Sequence, residues 1–576
     1  MKRRLHDATG QGETVEQATR DEHGSATAPV RSFRERALEL APFLGLAAAY
    51  SILVLVTFRD YGITFDESVQ AGYGERILGW YRSLFQDRDV LTFENLEFYG
   101  GFFDVLAEAA WRVSPVGQYE TRHLVNAAFG LAGMFAAWRV GFLLAGRRAA
   151  FLAALFLATT PVWYGHSFNN PKDVPFATLF LFSLYYILVA IERFPRLDWP
   201  LVAKLGIAIG LTLGIRFGGI LLFGYLGFAF AAWVAWRWIA MRQAPGVRRT
   251  LVPFVIRGGA ILVIAWIVML VWWPAAQVDP IGQPIRTLRE LSEFDWNYPT
   301  LFEGRHVLAT ELPWTYLPKY FAIQMPEFVL AGVLAALLLG LLAVVRARGL
   351  ASVNGLRWLT LGFAVLFPAA YSVATGAVLY DGLRHFLFAV PPLAITAAVG
   401  IDGLLRAAKP VRLATAIAVA GAMTLTVADM VRLHPNQYIW FNRLVAGGFE
   451  RAAQSYETDY WGNAYKEAAE WVATTYAGVR PDGRIRVATC SARMSIMYYL
   501  DERHFHYVMR REAPDLFFGY TRFGCQDQVK GPVVHTVRRM NVPLVVVKEV
   551  GEFARVRESS RHRSRQNARQ RCVHGL

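Results

Sequence analysis

Four short polar stretches interrupt apolar sequence and carry residue types able to do chemistry. The first is Thr64-Phe65-Asp66-Glu67. Thr64 and Glu67 have the spacing of a capping box that opens a helix, so Glu67 is either a cap partner or a catalytic acid. Asp66 is not needed by that box. It stands at a first helical turn, where the dipole favours an ionised carboxylate, and such a carboxylate beside a hydroxyl is a general base.

The second stretch covers residues 163–173 and ends in Asn170-Pro171-Lys172-Asp173. An interfacial aromatic belt and a proline turn account for Trp163, Tyr164 and Pro171. They do not account for Lys172, which would pair either with a lipid phosphate or with Asp173. The third and fourth are Arg216-Phe217-Gly218-Gly219 and Tyr380-Asp381-Gly382-Leu383-Arg384-His385. Each sets an arginine at a helix end, and a guanidinium fork grips phosphate oxygens with a charge that does not titrate away. Arg216 as a helix-packing residue and Arg384 as the partner of Asp381 are the structural alternatives. Glu67, Asp173, His385 and Tyr380 flank these groups as supporting residues.

The elements that must position them are membrane helices. Of 576 residues, 54% are apolar and 18% charged, against about 25% charged in soluble domains. The apolar residues gather in blocks of roughly 20, the length needed to cross a bilayer. This excludes a soluble multidomain enzyme, a disordered chain and a disulfide scaffold, and implies an α-helical polytopic membrane protein. Eleven spans are expected near 38–58, 122–144, 149–168, 174–191, 200–215, 217–236, 253–273, 327–345, 357–376, 385–404 and 411–431. With the N-terminus inside, every short arginine-rich loop falls on the cytoplasmic side, and an odd number of spans puts the C-terminal region outside. The split between 215 and 217 rests on Arg216 and on that charge bias. Gly206, Gly210, Gly214 and Gly218 form a small-residue stripe suited to close helix packing.

The net charge of +15 lies mostly in those loops and in a tail, 557–576, with six arginines against one glutamate. It points to anionic lipid rather than nucleic acid. The domains expected are a disordered cytoplasmic tail (1–37), a transmembrane core (38–431) with exterior loops at 59–121 and 274–326, an exterior α/β domain (432–556) and the basic tail. Loop 59–121 carries amphipathic stretches at 68–85 and 95–113 that suit surface helices. Trp296, Tyr298, Trp314, Tyr316 and Tyr320 in the second loop suit an interfacial belt. The C-terminal domain is expected to hold a helix at 460–476 and strands at 484–490 and 543–550. Cys490 and Cys525 could pair in an oxidising compartment, and no spacing marks a zinc or redox site.

Four motifs in order, Phe65-Asp66-Glu67-Ser68, Asn170-Pro171-Lys172-Asp173-Val174-Pro175-Phe176, Leu312-Pro313-Trp314-Thr315-Tyr316-Leu317-Pro318 and Arg384-His385-Phe386, resemble the GT-C class of integral-membrane glycosyltransferases. Within that class they are similar to the bacterial members akin to protein O-mannosyltransferases (family 39) and lipid A aminoarabinose transferases. Residues 456–462 also resemble a recurrent segment of that group, with no role attached. The resemblance implies a polyprenyl-phosphate-linked sugar donor, a lipid, polymer or protein acceptor, and inversion at the anomeric carbon. Asp66 would be the catalytic base, and Lys172, Arg384 and Arg216 the donor-phosphate ligands. Beyond Glu94, Glu97 and Asp104 the first loop offers few metal ligands, so no metal site is assigned, no cofactor is certain and a divalent cation stays open. The expected place is the plasma (bacterial inner) membrane. A transporter or flippase for a polyprenyl-linked or anionic lipid is the alternative, disfavoured because the polar groups cluster at one face without an internal repeat.

Overall fold

A computed structural model describes residues 33–239, 246–292, 296–347, 352–480 and 483–554. The tail before residue 33 and the arginine-rich tail lie outside the described residues. Each of the eleven apolar segments forms helix, and nine helices among the described residues are individually long and apolar enough to cross a membrane. The other two segments are shorter for local reasons. Residues 149–168 fall in two helices, Arg147–Ala158 and Pro161–Asn169, because Thr160 is extended ahead of a proline at the next helix's first turn. Trp199–Leu213 stops before Arg216, and a 3-10 turn, Phe217–Ile220, starts the next helix. The split at Arg216 is therefore present.

The small-residue stripe works as expected over part of its length. A Cβ at Gly206 would lie 2.8 Å from Ile264, and one at Gly210 2.6 Å from the Ala265 carbonyl oxygen. The helices Trp199–Leu213 and Val247–Val271 thus meet at backbone distance along this face. Gly218 takes no part, being in the 3-10 turn.

The bundle has two chemically different ends. At one, Arg147 pairs with Glu39, Arg148 and Arg406 with Asp402, and Arg357 with Glu192. At the other lie loop 59–121, the N-termini of Asp173–Arg193 and Arg384–Leu405, and the C-terminal domain. In that loop the expected amphipathic stretches form the helices Glu67–Arg82 and Phe102–Trp111. Their apolar faces meet in a small core of Tyr73, Ile77, Trp80, Val90, Leu96 and Val105. The second loop corrects the interfacial-belt expectation in part. Tyr298 and Trp314 are exposed, whereas Tyr316 and Tyr320 are fully buried against Phe302 and Tyr456. Those last residues come from a hairpin, β1 (Pro299–Phe302) and β2 (Arg305–Leu308), and from the segment leading to the C-terminal domain.

The C-terminal sheet has five strands: β3 (Ile485–Thr489), β4 (Phe505–Tyr507), β5 (Leu516–Tyr520), β6 (Val533–Arg539) and β7 (Val542–Glu549). Their order is β4-β3-β5-β7-β6, parallel on the first side of β5 and antiparallel on the other. The helix Tyr465–Tyr476 packs on it, and a disulfide, Cys490–Cys525, joins the segments that follow the neighbouring strands β3 and β5. Residues 434–464 instead cover the helix ends. Tyr61 donates to Gln437, Gly62 N–H donates to Asn463, and Phe65 N–H donates to the Trp461 carbonyl.

Candidate active site

Asp66 is the residue immediately before the helix Glu67–Arg82, and its side chain makes no capping bond. Its carboxylate is 31% exposed and accepts from Arg384 Nη1 at 3.2 Å. Glu67 points the other way. Its Oε2 accepts the Thr64 N–H at 2.8 Å and faces the Thr64 hydroxyl, while Oε1 lies 3.0 Å from His123 Nε2. One half of the capping box is therefore built, with Glu67 as a buried cap partner and Asp66 left free for another use.

Arg384 heads the helix Arg384–Leu405 and is surrounded by acid. Besides Asp66, its guanidinium lies 3.4 Å from Asp381 Oδ2 and 3.9 Å from Asp173 Oδ2. It also sits over the rings of Tyr380 and Trp461, at 5.2 and 4.9 Å, with His385 Nε2 3.3 Å from Nη2. The approach is shaped by a left-handed turn at Asp381 and Gly382, with φ of 59° and 64°. A side chain at Gly382 would meet Gln324 Oε1 at 2.8 Å.

Asp173 sits at the N-terminus of its helix, where Arg216 Nη2 reaches it at 2.7 Å and Asn170 donates to it at 3.0 Å. Lys172 is thereby released from its neighbour. Its ammonium lies 4.5 Å above the Tyr99 ring. The Gln70 amide, oriented to satisfy both neighbours, accepts from Lys172 at 2.9 Å and donates to Asp104 at 2.8 Å. The structure thus brings Asp66, Arg384, Asp173, Arg216, His385 and Tyr380 together, with Lys172 next in chain to Asp173. Two predicted residues face elsewhere: Glu67 turns to Thr64 and His123, and the Lys172 ammonium faces Gln70 and the Tyr99 ring.

Sequence reasoning missed a third layer from the C-terminal domain. Arg522 pairs with Asp381 Oδ1, donates to the Tyr460 carbonyl at 2.9 Å and lies 3.8 Å from Glu457 Oε1. Burial pushes the Asp381 carboxyl above the ordinary range despite Arg522 and Arg384. Burial also raises Glu457 to about 7, with Arg522 opposing. In the first loop, Asp104 is raised to about 6 by burial although Arg122 binds it at 2.6 Å. The Nε atoms of Arg216, Arg384 and Arg522 have no hydrogen-bond acceptor. All three cations therefore keep donor capacity that their carboxylates do not use, which an oxyanion could take.

Among the described residues, no group of three or more His, Cys, Asp or Glu side chains could hold a metal ion. Glu94, Glu97 and Asp104 do not converge into a ligand set.

Residues 118–273 match the family described as dolichyl-phosphate-mannose-protein mannosyltransferase. This stretch includes Lys172, Asp173 and Arg216 and bears out the resemblance to membrane glycosyltransferases drawn from the motifs. A comparison with curated proteins gives no match. Among solved structures, apo ArnT from Cupriavidus metallidurans matches at 14% identity, TM-score 0.48, over 89% of this chain and 99% of that one. ArnT bound to undecaprenyl phosphate matches at 13% identity, TM-score 0.47, over 88% and 99%. The apo oligosaccharyltransferase of Archaeoglobus fulgidus matches at 14% identity, TM-score 0.45, over 83% and 65%.

Proposed function

We propose that the protein is a polyprenyl-phosphate-sugar-dependent glycosyltransferase of the plasma membrane, acting on a hydroxyl acceptor at the exterior face. One observation carries it: a solvent-reached carboxylate with no capping duty, Asp66, lies in contact with a buried arginine that has an unspent donor. The acceptor oxygen forms a bond to the anomeric carbon from the face opposite the phosphate, which inverts that centre. Asp66 takes the hydroxyl proton. The bond from the anomeric carbon to the phosphate oxygen breaks, and the electron pair leaves with the polyprenyl phosphate. Arg384, Lys172 and Arg216 stabilise the charge growing on that oxygen.

The charge distribution supports the proposed sidedness. The arginine-rich end of the bundle is assigned to the cytoplasm, with the N-terminus, and the Asp66 end with the C-terminal domain to the exterior. A disulfide in that domain suits an oxidising compartment. The deciding experiment supplies purified protein in lipid nanodiscs with labelled polyprenyl-phosphate sugar and envelope extract as acceptor. Loss of label from the lipid with appearance in a new product is expected. Movement of intact lipid-linked sugar across vesicles without consumption would make the protein a transporter instead.

A further inference from the structure

A cavity of about 480 Å³ lies beyond Arg522, between four separate pieces of chain. Its walls are the β1–β2 hairpin, residues 450–460, the turn after β5 and the β6–β7 connection. The volume is within the range of small-molecule sites, about 300–1,000 Å³. Two buried groups on its wall are unsatisfied. Glu457 Oε2 and Arg522 Nε have no hydrogen-bond partner, although both side chains are only 7% exposed. A buried polar atom left without a hydrogen bond is destabilising, and more so when charged, so such atoms call for a ligand. Asp459, also on the wall, makes the contrast: it accepts from Tyr438 and from the N–H groups of Gly462, Asn463 and Ala464.

We propose that this cavity binds a neutral saccharide, as the distal ring or rings of the acceptor in the transfer proposed above. The lining interleaves an acid and a base having unused bonds with the hydroxyls of Thr458 and Thr521 and the rings of Tyr456 and Phe523. A pyranose matches that pattern, since its C–H faces pack on aromatic rings while its hydroxyls both donate and accept. A lipid tail would leave the hydrogen bonds of Glu457 Oε2 and Arg522 Nε unmade. A phosphate would meet the Glu457 carboxylate. The inner wall is also coupled to the reacting end: Arg522 pairs with Asp381, which is 3.4 Å from Arg384, which contacts Asp66. An acceptor sugar seated here would be felt at Asp66 through one shared carboxylate, Asp381, and the two arginines that flank it. The acceptor role rests on the proposed glycosyl transfer; saccharide binding itself does not.

The test is saturation-transfer NMR on the full chain in nanodiscs, with a panel of disaccharides of glucose, mannose, galactose and N-acetylglucosamine. Glycerol, inorganic phosphate and an acetyl-serine amide serve as comparison probes. At least one disaccharide should show ring-proton saturation that falls at least tenfold in Ala453→Trp and in the exposed-rim variant Gln454→Trp. The same signal should persist in Asp66→Asn. Overturning results are no transfer to any disaccharide, equal transfer in both tryptophan variants, or transfer to the serine amide or phosphate alone. If no sugar binds while labelled donor is still consumed, only this proposal falls. If a sugar binds and donor is never consumed, the site stands and the glycosyltransferase assignment fails.

Discussion

The two ends of the helical bundle use the same residues to opposite purpose. At the Arg147 end, the side chains of Arg147, Arg148 and Arg406 are 47–62% exposed, each beside a single carboxylate. These pairs tie helix ends together, and water shares the charge. At the Asp66 end, Arg384 and Arg522 are 7% exposed and each faces more than one acid. Their Nε atoms have no hydrogen-bond acceptor. A buried cation with surplus donors is costly unless something binds it. The contrast teaches that the number of arginines at an end does not single out a site, whereas burial with unused donors at Arg384 and Arg522 supports the one proposed here.

That contrast can be broken by substitution. Arg384→Ala should have the largest effect, because it removes the buried cation shared by Asp66, Asp173 and Asp381, leaving only Arg216 for Asp173 and Arg522 for Asp381. A loss of about 3–5 kcal/mol is expected, read as a lower thermal midpoint in detergent. An unchanged midpoint would erase the distinction between the ends. Arg216→Lys keeps the charge but loses the fork, and Arg216 is 24% exposed. Folding should survive while the KM for the lipid-linked donor rises about tenfold, one lost charge-assisted bond; an unaltered KM would remove Arg216 from the donor site.

A pH series sharpens the same point. Glu457 ionises at about 7 when folded, against 4.5 for an ordinary glutamate. Between these values the native chain holds a proton that the unfolded chain has released. Its contribution to stability therefore declines as pH rises from about 4.5 to 7. Glu457→Gln should flatten that part of the midpoint-versus-pH curve, and identical curves would show that burial at Glu457 is relieved by solvent. Arg147→Ala, at the opposite end, should have the smallest effect: a change within about 1 kcal/mol and unchanged transfer.

How much of this was legible in the sequence depended on the range of the signal. Bilayer spans declare themselves in contiguous apolar blocks, so all eleven segments could be read, including the break at Arg216. Asp66 was legible because Thr64 and Glu67 accounted for the cap and left it over. Lys172, Arg216 and Arg384 stood out as cations against the charge bias. The third layer was not legible. Arg522 meets Asp381 across 141 residues, and neither has a periodic or spaced signature that announces the partner. Residues 456–462 drew notice only by resemblance, and their service as a roof over the helix ends depends on a chain path no local pattern encodes. The burial of Tyr316 and Tyr320 was missed for a related reason, since an aromatic-rich loop at a membrane edge has the same composition whether its rings face lipid or a hairpin.

Transfer by Asp66→Asn, measured beside binding of the donor lipid, puts the central claim at most risk. The substitution keeps size and polarity, and Asp66 is neither buried nor a cap, so folding and lipid-phosphate binding should match the unmodified protein. Turnover of labelled polyprenyl-phosphate sugar should fall by about 10²–10⁴-fold, the share a general base supplies. Turnover within a factor of two of the parent protein would mean that the proton leaves by another route and that Asp66 is not the base.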